Sequence, residues 1–134
     1  MNPSDAPRLV EVTGAEALWL LESAARGRLV YVERGAVCVR PAVHVLERGW
    51  LVVRAPARAA ALSDGAVLAY HTDEAGQGDG TGWTVTAAGP ADFVTDPHEA
   101  AHYRRTLCGW THGPHDTLLR MSPRVVTGFR VPRL

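Results

Sequence analysis

Apolar and polar residues alternate along most of this chain, in short runs that predict β-strands. The runs at 28–33, 36–46 and 50–54 are joined by connections of two or three residues, and each connection contains a glycine. Connections this short join antiparallel neighbours, so the pattern predicts two successive hairpins. The remaining predicted strands cover residues 66–72, 83–94, 118–121 and 125–131.

Two prolines fall inside these runs and predict irregular points in the strands. Pro41 lacks the N–H that a sheet ladder needs, so the second strand should bend, bulge or lie at a sheet edge there. Gly89 and Pro90 predict a bulge or kink in the 83–94 strand. Many short strands with tight turns in one modest domain indicate a closed or nearly closed antiparallel barrel, because closure removes exposed sheet edges.

A first helix is predicted ahead of the strands. Thr13 and Glu16 have the spacing of a capping box, in which each side chain binds a free backbone N–H of the other residue. Apolar residues then recur at helical spacing over 14–25, and Gly27 should end the helix as its C′ residue. The preceding residues 1–12 include two prolines and are predicted to form a loose arm.

A second helix is predicted after the 83–94 strand. Asp96 is a favourable N-cap, Pro97 suits the first helical position, and the helix should run to about Leu107. The sequence therefore predicts a mainly β fold, a barrel with flanking helices, as a single domain over 1–134.

Composition narrows the function and the compartment. All fourteen basic residues are arginine and balance fourteen acidic ones, which argues against a general nucleic-acid or membrane-surface role. The absence of lysine removes Schiff-base chemistry by the chain itself. Two cysteines are too few for a disulfide framework, and neither a signal peptide nor an apolar run of the ~20 residues needed to span a membrane is recognisable. We expect a reduced, cytoplasmic protein.

The stretch 50–62 (WLVVRAPARAAAL) is a candidate phosphate clamp. A strand that ends in a turn before a helical segment leaves backbone N–H groups free and favours negative charge. Arg54 and Arg58 flank that point, and a guanidinium fork fits phosphate oxygens two at a time. The alternative is that both arginines are ordinary solvated residues.

Histidines offer weaker candidates. His98 and His102 are four residues apart on the predicted second helix, the spacing of a metal-binding pair, but no further ligand is placed by sequence and no metal is predicted. His44 lies in mid-strand, where a satisfied core histidine is the simpler interpretation.

Five stretches in register resemble the pyridoxamine 5′-phosphate oxidase-like proteins, small flavin-binding split barrels. The two most specific are GTGWTVTAAGPADFV, similar to the family's GWSV stretch, and VVTGFRV, similar to its closing VTGRR. The resemblance covers about residues 13–132. It implies a six-stranded antiparallel Greek-key barrel, a homodimer, and flavin mononucleotide (FMN) in clefts between the subunits.

The resemblance also implies cofactor-binding residues. Arg54 matches the family's phosphate arginine and Arg58 falls near its lysine; Trp83, with Thr81 beside it, matches the cleft tryptophan, and Arg40 is a further candidate. Ala55 replaces a threonine, which removes one phosphate hydrogen bond. These matches predict an FMN-dependent oxidoreductase acting on a small substrate. The alternatives are a barrel that binds deazaflavin F420 or heme, with a histidine such as His44 or His102 as the heme ligand, or a cofactor-less binding or scaffold protein.

Overall fold

The computed structural model describes residues 8–63, 65–75, 82–108 and 115–132. A single 3₁₀ turn at Ala59–Ala61 follows the fourth strand, in place of the helical segment expected there. The strands and helices within the described residues are β1 (Val10–Glu11), α1 (Gly14–Ser23), β2 (Arg26–Glu33), β3 (Ala36–Glu47), β4 (Trp50–Ala55), β5 (Val67–Glu74), β6 (Gly82–Phe93), α2 (Pro97–Thr106), β7 (Thr117–Met121) and β8 (Val125–Val131).

Six strands close into a barrel in the order β2, β3, β4, β7, β6, β5, every neighbouring pair antiparallel. The predicted barrel is therefore confirmed. β6 pairs with β8 through residues 82–88 and with β7 through residues 91–93, so it changes partner around Gly89. A Cβ on Gly89 would collide with the carbonyl oxygen of Ser122, which explains why glycine stands where the β7–β8 link crosses β6.

β3 runs through Pro41 without a break. Residues 36–42 pair with β2 alone, because the pairing of β3 with β4 begins at Val43. Pro41 therefore lies where β3 is a sheet edge, which is one of the predicted outcomes. The hairpin turns on both sides of β3 each contain an arginine and a glycine in the left-handed region. The φ values are 52° and 77° for Arg34 and Gly35, and 52° and 80° for Arg48 and Gly49.

The predicted N-terminus of α1 is correct in part. Thr13 Oγ1 accepts the Glu16 N–H at 3.1 Å, as a capping residue does. The Glu16 carboxylate does not return to Thr13; it accepts from Nε and Nη2 of Arg130 on β8, at 3.1 and 2.6 Å. Glu16, which was expected to complete the capping box, therefore fixes α1 to the sheet instead.

Two expectations around α1 are wrong. Gly27 lies within β2 rather than at the helix end, because α1 ends at Ser23 and Ala24 is already extended. A Cβ on Gly27 would overlap the ring of Tyr70, so this glycine provides room for that side chain. Val10 and Glu11, expected in a loose arm, form β1 and pair with β8.

The core consists of two clusters separated by the barrel wall. Inward residues of the strands pack inside the barrel with the buried face of α1, including Leu29, Leu51 and Tyr70. Outward residues of β3, β4 and β7 pack beneath α2 against Tyr103 and Leu107. Asp96 caps α2, accepting the Glu99 N–H at 2.9 Å. No helix within the described residues is long and apolar enough to cross a membrane.

Candidate functional site

Arg54 lies on the outer side of β4, next to α2, and four of the five N–H donors of its guanidinium group are engaged. Its Nε and Nη2 donate to Oδ1 and Oδ2 of Asp116, both at 2.8 Å. Its Nη1 donates to the carbonyl oxygens of Arg104 and Leu107, at 3.1 and 2.9 Å. Carbonyls in the last turn of a helix have no partner within it, so Arg54 caps the C-terminus of α2.

The charges around Asp116 support this arrangement. The hydrogen bond from Arg54 lowers the pKa of Asp116 and outweighs the opposing effect of burial, and Arg104 lies 2.5 Å from Oδ2. The same bond raises the pKa of Arg54. The Asp116 carboxylate thus occupies the guanidinium fork in the bidentate manner proposed for a phosphate. A phosphate could reach Arg54 only by displacing Asp116.

Arg58 is in a different situation. Its Nη2 pairs with Oε1 of Glu33 at the end of β2, and its side chain is 48% exposed. This pair uses one nitrogen of a half-exposed guanidinium group, so its other N–H groups are accessible. Arg54 and Arg58 therefore donate to carboxylates on different parts of the chain. Of the two, Arg58 is the one that presents free donors to an added ligand.

The other predicted site residues lie elsewhere. Trp83 is 7% exposed and packs in the core inside the barrel. Arg40 donates from Nη1 to the carbonyl oxygen of Val39 at 3.1 Å. Thr81 lies outside the described residues. The structure does not gather Arg54, Trp83 and Arg40 into one site, and their roles toward a cofactor stay predictions.

His44 is a core residue with both ring nitrogens bound. Nε2 is 2.8 Å from the carbonyl oxygen of Leu21, which can only accept, so this nitrogen carries the proton. Nδ1 therefore accepts from the hydroxyl of Tyr70 at 2.5 Å. Burial lowers the pKa of His44 and raises that of Tyr70, so both stay neutral. Neither nitrogen of His44 is available to a heme iron.

Sequence reasoning missed a solvent-exposed apolar face on the outer side of the barrel, which we call the valine face. Val39, Val30, Ala69, Ala88 and Val125 stand in one register row across β3, β2, β5, β6 and β8. The signal was available, because β2 and β3 are apolar at successive positions, a pattern typical of strands covered on both sides. The exposed valines of this face, 47% to 73% accessible, are Val32, Val37, Val39, Val67 and Val125.

A polar strip adjoins the valine face on the same wall. Arg28 Nη1 lies 3.4 Å from Nδ1 of His71 and 3.6 Å from Oδ1 of Asp73. Because a guanidinium only donates, Nδ1 accepts, and the protonated Nε2 of His71 donates to Oγ1 of Thr84 at 2.6 Å. Arg28 and Asp73 also line a cleft of about 220 Å³ beside Pro41. The strip offers a half-exposed cation and carboxylate next to an apolar surface.

Comparison with known proteins identifies relatives of the whole chain. The model of the family described as pyridoxamine 5′-phosphate oxidase matches residues 13–131. An uncharacterized protein of Mycobacterium tuberculosis is 32% identical over 137 residues, which cover 97% of this chain and 90% of that protein.

Solved structures at lower identity share the fold. The FAD-binding protein of Mycobacterium smegmatis is 23% identical with a TM-score of 0.66, over 91% of this chain and 97% of its own. An FAD-binding protein of Mesorhizobium loti is 16% identical with a TM-score of 0.76, over 96% of this chain and 100% of its own. These likenesses identify the split-barrel architecture.

Proposed function

This chain belongs to the pyridoxamine 5′-phosphate oxidase-like family, and on that premise we propose that it is a homodimeric flavin-binding oxidoreductase acting on a small molecule. The observation that carries the proposal is the bare valine face with the polar strip beside it. A wall of this kind provides an apolar contact surface and, at its margin, polar groups for a ligand.

A second copy of the chain is the partner that we propose for the valine face. A twofold association applies the same patch on both sides, so one apolar face is sufficient for a self-complementary interface. Val37 and Val39 lie on the part of β3 that is a sheet edge, beside Pro41, which limits further strand pairing there. Contact between faces therefore agrees with the exposed valines better than strand addition does.

The cofactor proposed is FMN, which supplies hydride or electron transfer when it is bound. Arg58 fits its phosphate, because the side chain is half exposed and a single nitrogen is committed to Glu33. Arg54 does not fit it as placed, because Asp116 fills the fork. Arg28 and Asp73 of the polar strip provide a donor and an acceptor for the edge of a planar ring. A role of Arg54 in holding phosphate requires the release of Asp116.

FAD is the second candidate, since two proteins of the same fold are described as FAD-binding. Deazaflavin F420, heme and the absence of any cofactor are the further alternatives. For heme, the structure leaves His102 rather than His44 as the candidate ligand, because both nitrogens of His44 are engaged.

The absorbance spectrum of freshly purified protein tests the proposal. We expect visible flavin bands and, after the cofactor is removed, tighter binding of FMN than of FAD or F420. Arg58→Gln should weaken FMN binding about tenfold through the loss of a charge-assisted hydrogen bond. Arg34→Gln, at an exposed arginine of the neighbouring hairpin turn, is the matched control and should leave FMN affinity unchanged.

Three results would contradict parts of this account. Colourless protein that takes up none of the three cofactors would replace the enzyme with a binding or scaffold protein. Equal FMN affinity of the Arg58 and Arg34 variants would remove Arg58 from the site. Weaker FMN binding in Arg54→Gln, with Arg58→Gln unaffected, would return the phosphate to Arg54.

A further inference from the structure

A second cleft lies on the opposite side of the barrel from the valine face. It has a volume of about 540 Å³ and is bounded by the β3–β4 turn, by residues 98–103 of α2, and by β7. Neither the family resemblance nor the proposed flavin function uses it. Its walls contain two carboxylates, two guanidinium groups, two imidazoles, a phenol and an indole.

Both carboxylates in the cleft already have donors. The hydroxyl of Tyr103 donates to Oε2 of Glu47 at 3.1 Å. Nη2 of Arg120 donates to Oε2 of Glu99 at 2.8 Å. Each acidic side chain is thus bound to its own neighbour. No group of three or more His, Cys, Asp or Glu side chains suited to a metal ion occurs in the described parts of the chain, so the acids do not make this cleft a metal site.

One of the two guanidinium groups of the cleft and both of its imidazoles are available by contrast. Within the described residues, Arg48, His98 and the ring nitrogens of His102 make no hydrogen bond or ion pair. Arg48 is held at the tip of the hairpin turn with a φ of 52°, a conformation that non-glycine residues rarely adopt. The cleft therefore presents one guanidinium group and two imidazoles without a bound partner to a ligand.

Trp50 provides an aromatic wall. The guanidinium of Arg120 lies over its ring at 5.9 Å, and 43% of the residue is exposed. A half-covered indole next to unpaired donors suits a ligand that is flat and apolar at one end and anionic at the other. We propose that this cleft binds a small aromatic carboxylate, with the ring on Trp50 and the carboxylate at Arg48 and the two histidines.

The symmetry of the two hairpins supplies a matched pair of variants. Arg34 and Arg48 both precede a glycine and share a φ of 52°, but only Arg48 lines the cleft. Asparagine tolerates the left-handed region better than arginine does, so Arg48→Asn and Arg34→Asn should both fold at least as well as the parent chain. A loss of binding specific to Arg48→Asn then reports on the ligand rather than on folding.

The test is calorimetric titration of the full chain with 2-naphthoate. We expect the parent chain and Arg34→Asn to bind 2-naphthoate with equal affinity. Arg48→Asn should bind it at least about tenfold more weakly, because it loses one charge-assisted hydrogen bond. In NMR spectra, 2-naphthoate should shift the ring signals of His98 and His102 and leave those of His71 unchanged.

Ligand controls separate the two ends of the proposed ligand. Neutral 2-naphthamide and non-aromatic acetate should each bind much more weakly than 2-naphthoate. Equal binding of 2-naphthamide would overturn the role of Arg48, and equal binding of acetate would overturn the role of Trp50. Failure of 2-naphthoate to bind at millimolar concentration, or equal affinity of the two asparagine variants, would overturn the proposal as a whole.

Discussion

The outer surface of the barrel has two sides with similar apolar strands, of which one is covered by a helix and the other is exposed to solvent. On one wall, Val43, Val52 and Leu118 lie beneath α2, which contributes Tyr103 and Leu107. On the other, Val32 of β2 and Val37 and Val39 of β3 are exposed. A strand that is apolar at successive positions needs a cover on both faces. The chain covers one wall with its own helix, and we propose that a second copy covers the other.

The two walls also differ in how their charges are used. Arg54 on the covered wall is 14% exposed and binds a carboxylate and two helix carbonyls. Arg28 on the bare wall is 50% exposed and contacts its neighbours at more than 3.3 Å. Tightly bound charge fixes an element in place, whereas loosely bound charge is available to a ligand. We therefore expect the proposed flavin to bind on the exposed wall and at its margin.

The largest expected effect comes from a charge on the valine face. Val39→Asp would bury one unpaired carboxylate from each copy at the proposed interface, at a cost of about 4 kcal/mol, or roughly a thousandfold in the dimer dissociation constant. Sedimentation velocity measures it. Val10→Asp is the control, because Val10 is an exposed valine on β1, away from this face. A monomeric parent chain, or a Val39→Asp variant that remains dimeric, would contradict the proposed interface.

The second largest effect is expected at the contacts by which Arg54 holds Asp116 and the last turn of α2, which we call the clasp. Arg54→Ala removes a donor from the carbonyls of Arg104 and Leu107, and it leaves the Asp116 carboxylate paired with Arg104. We expect the free energy of unfolding in urea to fall by about 3 kcal/mol. Arg58→Ala breaks a half-exposed pair and should cost about 1 kcal/mol or less. Similar losses in the two variants would show that Arg54 does not hold α2 in place.

The smallest effect is a dependence of the clasp on pH. The pKa of Asp116 is lowered from 3.8, so its charged form stabilises the fold above that value, and the contribution is lost as pH falls through the folded-state pKa. The difference in unfolding free energy between the parent chain and Asp116→Asn should shrink on acidification from pH 6 to pH 3. Asp73→Asn is the control, because the pair with Arg28 is half exposed. A difference that is constant with pH would contradict the clasp.

Much of the fold was accessible from sequence because it rests on local signals. Strand and helix positions followed from alternation, from short glycine turns and from caps such as Asp96, and they lie within about three residues of the observed ends. The two-residue β1 carried too short a pattern to be recognised. Gly27 was misassigned because its use is steric and long-range: it makes room for the ring of Tyr70, 43 positions later in the chain.

The candidate site was less accessible for the same reason. The stretch 50–62 correctly marked two arginines near a strand end, but the partner of Arg54 is 62 residues away and becomes a neighbour when β4 pairs with β7. Nothing local to Arg54 distinguishes a phosphate ligand from a helix clasp. Glu33 meets Arg58 across 25 residues in the same way. Charge pairing of this kind depends on which strands become neighbours and in which register, which local patterns do not specify.

The change of partner along β6 has a consequence for synthesis on the ribosome. Until residues 117–131 have emerged, β4 lacks its outer neighbour and β6 lacks two of its three partners. A nascent chain would therefore display open strand edges for most of its elongation, a state that invites pairing with other chains. β7 and β8, which are synthesised after β4 and β6, are therefore the strands that protect those two edges from aggregation.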